Sequence, residues 1–382
     1  MKVACVAGAR PNFMKVKPVL DALEARSVET LLVHTGQHYD ALMSDVFFDD
    51  LRLRKPDRYL GVGSGTHAEQ TARVMTSFEQ LLREEPVDVV VVVGDVNSTL
   101  AAAVVGAKQG AVVAHVEAGL RSRDWRMPEE VNRVVADRVS DLLFAPSEDA
   151  AENLRNEGYR DDQIHLAGNV MVDTLLAART RALERPILAT LGVQPGTYGL
   201  VTLHRPENVD TPDVLLPLLG ILGELAVDLP LLLPAHPRLR AALGGSPVPR
   251  GIRLLDPLGY LDFVALEASA RVVLTDSGGV QEETTMLGVP CLTLRGSTER
   301  PVTVTEGTNV VVGRDPARVR LGFRRALNGE IEVRRPALWD GRAGERIADV
   351  IAAERPGRLR PTDLSRASAA GPTLRSVPAA TS

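Results

Sequence analysis

Val89 to Val93 is a run of five valines that stops at Gly94-Asp95 and gives way to the alanine-rich stretch around Ala101-Ala102-Ala103. A strand that is apolar at every position has no face to turn toward water. It must be covered on both sides, which is how parallel sheets buried under helices read. Shorter runs of the same kind recur at Val3–Ala7, Leu31–Thr35, Val112–Val116 and Leu142–Ala145, each bounded by Gly, Pro or polar residues. Segments with helical spacing, such as Ala68–Arg83 and Glu129–Val139, lie between them. A second series follows at Gly199–Leu203, Leu229–Pro234, Ile252–Leu255, Val272–Thr275 and Pro290–Leu294. Alternating strands and helices predict an α/β protein of two Rossmann-like, doubly wound sheets facing a cleft. The break falls in Arg181–Tyr198, which holds Pro186, Pro195 and Gly196. The expected units are residues 1–180 and 190–354.

The 382 residues carry 44 Lys and Arg against 49 Asp and Glu, a formal charge of −5. That balance points away from nucleic acid and from an anionic membrane surface. No apolar stretch approaches the roughly 18 residues of a membrane span. The N-terminus reads as a strand running into a loop, not as a secretory leader. The two cysteines, Cys5 and Cys291, sit inside strand-like runs, so no disulfide framework is expected and a reducing cytoplasm is the natural compartment. Residues 355–382 hold five Arg and one Asp among Pro, Ser, Ala and Gly. A segment of that composition is expected to be a disordered tail.

Ligands of doubly wound sheets sit beyond the carboxyl ends of the strands, so the residues at the strand exits are the candidates. After the first strand, Arg10 and Lys15 can both face one anion, or form a solvated pair at a helix start. Gly61-Val62-Gly63-Ser64-Gly65 has no apolar strand before it and reads as a turn. Asp95 follows the valine run, either as a helix cap or as a carboxylate of the cleft. Glu117 ends the next strand, where it has no capping role and would be costly to bury unpaired. Pro128-Glu129-Glu130 opens a helix with Pro and acids in the favoured positions, and Glu129 with Arg133 has the spacing of an i,i+4 pair. One of the two acids can be serving the helix alone. Three successive loops thus each send a carboxylate to one rim, the grouping that acid–base chemistry requires.

The second half offers His204-Arg205 after one strand and His236-Pro237-Arg238 after the next. These lack the spacing of a zinc motif and suggest a phosphate site. Asp276-Ser277-Gly278-Gly279 leads from a strand into a helix, baring backbone N–H groups at a positive helix end where phosphate binds. A tight turn capped by Ser277 is the alternative. Glu283, one turn later, can hydrogen-bond two ribose hydroxyls, and Arg300 adds a cation. A nucleoside diphosphate on the second unit, with its sugar aimed at acids on the first, satisfies both inventories.

In these motifs the sequence closely resembles the non-hydrolysing UDP-N-acetylglucosamine 2-epimerases. The matches run from Gly8-Ala9-Arg10-Pro11 through Gln37-His38, Gly94-Asp95, His115-Val116-Glu117-Ala118-Gly119-Leu120-Arg121 and Pro128-Glu129-Glu130-Val131-Asn132-Arg133. They continue with Gly168-Asn169 before Asp173, His204-Arg205-Pro206-Glu207-Asn208, Asp276 to Glu283, and Thr298-Glu299-Arg300-Pro301. The resemblance implies a fold like that of the B-type glycosyltransferases and a homodimer. It implies interconversion of UDP-N-acetylglucosamine and UDP-N-acetylmannosamine through a 2-acetamidoglucal intermediate, without NAD or metal. By resemblance, Asp95, Glu117 and Glu129 are the acid–base carboxylates. His204, Arg10 and Lys15 serve the sugar and diphosphate, and Arg205 and His236 line the same site. Ser277, Gly278 and Gly279 hold the phosphates, Glu283 the ribose, Arg300 lines the pocket, and the Leu258–Phe263 loop receives the uracil. Asn12-Phe13 and the segment from Gln37 to Asp45 depart from the usual bacterial pattern. The latter is where bacterial members bind a second, activating substrate molecule. Rival readings are the same chemistry on a UDP-diacetamido-uronic acid, a hydrolysing 2-epimerase, a glycosyltransferase of the same fold, and a nucleotide-sugar sensor without turnover.

Overall fold

The computed structural model describes residues 1–36, 48–245 and 247–354; the Gln37–Asp45 departure and the tail from 355 lie outside them. The first sheet contains β1 (Lys2–Ala7), β2 (Glu29–His34), β3 (Arg58–Tyr59), β4 (Val89–Val93), β5 (Val112–Val116), β6 (Leu142–Ala145) and β7 (Ile164–Leu166). The second contains β8 (Gly199–Thr202), β9 (Leu231–Pro234), β10 (Ile252–Leu255), β11 (Val272–Thr275), β12 (Cys291–Thr293) and β13 (Asn309–Val311). The strand orders are β3-β2-β1-β4-β5-β6-β7 and β10-β9-β8-β11-β12-β13, and every pairing is parallel. The short strands β3, β7 and β13 carry too few residues for a legible apolar run.

The valine run behaves as its composition requires. Val89, Val91 and Val93 enter one apolar cluster, and Val90 and Val92 enter the cluster on the opposite face. Cys5 lies fully buried in β1, and burial pushes its thiol up to about 12, so it is an inert core residue. Helix starts follow local capping rules. Thr66 accepts the Glu69 backbone N–H and Glu69 reaches back to the Thr66 N–H, opening the helix His67–Glu84. The glycine-rich segment before it is an irregular turn, with Gly61 and Gly63 at positive φ.

The apolar cluster under the first sheet also includes Tyr260, Leu261, Val264 and Met286 from helices of the second half, so the two layers meet through packed side chains. The last helix, Ala343–Ala353, returns to the first half. A Cβ on Gly344 would lie 2.5 Å from the Pro18 carbonyl, and the Asp173 carboxylate accepts the Ala343 and Gly344 N–H groups at 3.2 and 2.7 Å. Asp173 of the Gly168-Asn169…Asp173 motif therefore holds the chain's return. No helix among the described residues is long and apolar enough to cross a membrane.

Both sheets reverse strand order at one point, between β1 and β4 and between β8 and β11. Neighbouring connections leave in opposite directions there, opening a crevice at the carboxyl ends. The exits of β1 and β4 carry Arg10, Lys15 and Asp95. Those of β8 and β11 carry His204, Arg205 and the Asp276–Gly279 turn.

Candidate active site

On the first side the site centres on Glu117. Lys15 rises from the helix Arg10–Ala25 and its Nζ lies 2.5 Å from Glu117 Oε2, with both side chains buried. The other carboxylate oxygen, Oε1, is buried without a hydrogen-bond partner among the described residues. Glu117 has φ of +70°, a left-handed conformation that costs a residue with a Cβ about 1–3 kcal/mol. Gly94, at φ +66°, closes against this pair: a Cβ there would stand 2.8 Å from Lys15 Nζ and 3.5 Å from Glu117 Oε2. Asn12 ties the two exits together. Its Oδ1 accepts the Ala9 N–H at 2.9 Å, and its Nδ2 donates to the Val93 carbonyl at 3.0 Å. Arg10 opens the helix, and its side chain lies outside what the structure describes.

Asp95 is gripped by Arg133, whose Nη2 and Nε donate to Oδ2 at 2.7 and 3.1 Å. Burial pushes the Asp95 carboxyl up. The charges of Arg133, Lys15 and Arg300 outweigh it and hold the group below its ordinary value. Arg133 does not pair with Glu129 as the i,i+4 spacing predicts. Its Nη1 donates to Glu130 at 2.6 Å, and its Nη2 stands 3.8 Å from Glu299 of the second half. Glu130 is engaged further by the N–H groups of Ser122 and Arg123 at 2.9 and 2.8 Å, so it fastens the preceding loop. Glu129 takes no part in those bonds and is half-buried in the first turn of the helix Pro128–Val139.

On the opposite side, Asp276 organises the β8 exit. Its carboxylate lies 2.7 Å from His204 Nδ1 and accepts the Arg205 N–H and Asn208 Nδ2 at 3.0 Å each. Burial raises the carboxyl, and the His204 contact with the other donors brings it net below its ordinary value. The His204 and His236 rings stand 6.2 Å apart between centroids. His236 is exposed and accepts the Arg238 N–H, capping the next helix.

Ser277 makes no side-chain capping bond at the head of the helix Gly278–Leu287. Gly278 lies against Arg300: a Cβ there would press on the Arg300 guanidinium. Arg300 is buried and paired with Glu282 at 2.6 Å and Glu299 at 3.1 Å. Burial pushes Glu299 up, but Arg300, Arg295, Arg133 and Arg205 around it hold its carboxyl far below the carboxylate range. Glu283, one turn into the helix, accepts the Tyr260 hydroxyl at 3.0 Å, and burial pushes it up to about 8. The Leu258–Phe263 loop is shorter than the sequence suggests. Gly259 is the N-cap of a helix that begins at Tyr260, so Leu258 lies on the loop and Phe263 on the helix. Both pack, half-buried, against Tyr198, Leu200 and Leu255.

The structure therefore gathers Lys15, Asp95 and Glu117 on one side, with Arg300 close enough for its charge to act on Asp95 and Glu117. His204, Arg205 and the Ser277–Gly279 turn lie on the other side of the same crevice. Arg133, Glu299 and Tyr260 hold these residues through partners that no local spacing marks. Their partners lie 38, 94 and 23 positions away at Asp95, Arg205 and Glu283.

A family model described as UDP-N-acetylglucosamine 2-epimerase matches residues 21–352. The chain belongs to the UDP-N-acetylglucosamine 2-epimerase family. It is 41% identical to the UDP-N-acetylglucosamine 2-epimerase of Methanocaldococcus jannaschii over 92% of this chain and 99% of that protein. It is 40% identical, over the same shares, to the UDP-2,3-diacetamido-2,3-dideoxy-D-glucuronate 2-epimerase of Pseudomonas aeruginosa. The crystal structure of the M. jannaschii epimerase in complex with UDP-GlcNAc and UDP superposes at a TM-score of 0.86, covering 93% of this chain and all of that one. A glycotransferase of kitacinnamycin, at 13% identity and TM-score 0.58, shares the fold alone. The architecture of this epimerase-family chain is the expected one: two parallel doubly wound sheets of the B-type glycosyltransferase kind.

Proposed function

We propose that this chain interconverts UDP-N-acetylglucosamine and UDP-N-acetylmannosamine by eliminating and re-adding UDP. The observation that carries this reading is Glu117: a buried carboxylate on strained backbone, one oxygen fixed by Lys15, the other open. A hydrogen at C2 of the sugar is not α to a carbonyl, so a base alone removes it slowly. Its removal becomes feasible when the diphosphate leaves in the same process and its charge is met by the protein. The C2–H bond and the C1–O bond to UDP break, a C1=C2 double bond forms, and the proton passes to a carboxylate. Re-addition of UDP with protonation on the opposite face gives the epimer.

In this reading Asp95, Glu117 and Glu129 share the proton work, and Lys15 orients Glu117. His204, Arg205, Arg10, His236 and the Ser277–Gly278–Gly279 helix start receive the diphosphate. Arg300 shapes that start, Glu283 takes the ribose, and Leu258 with Phe263 takes the base. The division into two units, with the break in residues 181–198, belongs to the same proposal, with the helix Ala343–Ala353 lying on the first unit.

The test is NMR of the sugar during incubation in deuterated water. UDP-linked manno epimer with deuterium at C2 of both sugars is the expected result. Release of free N-acetylmannosamine would assign a hydrolysing enzyme. The Pseudomonas relative supports a second reading, the same chemistry on a UDP-diacetamido-glucuronate. Exchange on that sugar alone would select it.

A further inference from the structure

β5 contains one polar residue, His115, and it is wholly buried. Its Nε2 lies 2.9 Å from the Gly94 carbonyl oxygen, which can only accept, so Nε2 donates. Its Nδ1 lies 2.6 Å from Asp137 Oδ1. Asp137 is held as a carboxylate by Arg121, 2.7 Å away, and its Oδ2 accepts the Gly119 N–H at 3.1 Å. Nδ1 faces that carboxylate, so the ring joins the Gly94 carbonyl to Asp137.

The two anchor points, the Gly94 carbonyl and, through Asp137, the Gly119 N–H, are informative in their positions. Gly94 immediately precedes Asp95, and its own N–H is bonded to the Val116 carbonyl at 3.0 Å. Gly119 follows Glu117 by two residues. Glu117, Gly119 and Gly94 all have positive φ, at +70°, +82° and +66°. Backbone in that region persists for a glutamate only where its surroundings dictate it. The His115 ring and Asp137 form one brace, running from the Gly94–Asp95 peptide to the Ala118–Gly119 peptide.

We propose that His115 is a positioning residue which, through Asp137 and the Gly94 carbonyl, fixes Asp95 and Glu117 relative to each other. The inference rests on the reading of those two carboxylates as the acid–base groups. His115 touches no substrate in this scheme. Its removal should leave nucleotide binding on the second half unchanged and lower turnover, because small misplacements of reacting groups cost on the order of 100-fold.

The experiment uses the full chain with His115→Phe, which fills the volume without either bond, and His115→Gln, whose amide can still reach the Gly94 carbonyl. UDP affinity is measured by calorimetry, and kcat, KM and C2 deuterium exchange are measured with UDP-N-acetylglucosamine. The expected result is unchanged UDP affinity and KM, a loss of about 100-fold in kcat and exchange for His115→Phe, and partial recovery in His115→Gln. Turnover of His115→Phe within about threefold of wild type would overturn the inference, as would a kcat loss matched by an equal loss of UDP affinity. Should the variants fail to fold, ¹⁵N NMR of the wild-type ring decides: one nitrogen without its hydrogen overturns the brace, and two support it. Absence of exchange in wild type with either sugar overturns the functional reading itself, a result distinct from equal exchange in wild type and variant.

Discussion

Lys15 Nζ and Glu117 Oε2 meet at 2.5 Å across 102 positions of sequence, both shielded from water. Removing one partner of a buried pair leaves an uncompensated charge, at a cost of about 3–5 kcal/mol. Lys15→Met should therefore destabilise the protein by about that amount and abolish C2 exchange. Adding Glu117→Gln to Lys15→Met should restore most of the stability and none of the activity. Urea unfolding of the two single variants and the double variant checks this, and an additive result would show that the pair is not coupled.

Glu129 and Glu130 are adjacent in sequence but their environments differ. Glu130 is saturated by Arg133 and two backbone N–H groups, whereas Glu129 stays outside that set. Glu130→Gln should lower the melting temperature and reduce turnover only in proportion to the protein lost. Glu129→Gln should leave the melting temperature within a degree or two and reduce kcat by about 100-fold, as for loss of a general acid or base. Thermal unfolding beside steady-state kinetics separates the two, and the reverse pattern would exchange their roles.

Gly278 leaves room for the Arg300 guanidinium at the head of a helix. Gly278→Ala forces Arg300 away from its place between Glu282 and Glu299. UDP affinity measured by calorimetry should fall by at least about tenfold, the effect of losing one charge-assisted contact. Gly279→Ala, with only Met171 Cε at 3.6 Å, should be milder.

Glu283 is lifted from an ordinary 4.5 to about 8 by burial. Between those values the folded protein keeps a proton that the unfolded chain has released. The stability tied to that proton is complete below about pH 4.5 and is lost as pH rises toward 8. Glu283→Gln removes the dependence, so its stability relative to wild type should rise across pH 5 to 8 while UDP affinity falls. A parallel pair of pH–stability curves from urea titrations would contradict the assignment.

The strands and the two-sheet architecture were legible because burial on both faces demands apolar residues at every position, and Val89–Val93 admits no other reading. The strand-exit candidates followed from the same fact, since a parallel sheet presents its carboxyl ends to one crevice. Residues whose work is to hold others gave no such signal. Arg133 has the spacing to pair with Glu129, yet it turns to Glu130, Asp95 and Glu299. Nothing local marks Asp276 as the acceptor for His204, or Tyr260 as the donor to Glu283.

The sequence alone determined the longer strands of both sheets and which polar residues stand at their ends. These are short-range consequences of side-chain hydrophobicity and backbone preference. Tertiary structure alone decided which carboxylates are paired, which stay open and which backbone is strained. Those properties depend on charges and donors from distant segments brought within about 3 Å, where hydrogen bonds and ion pairs act.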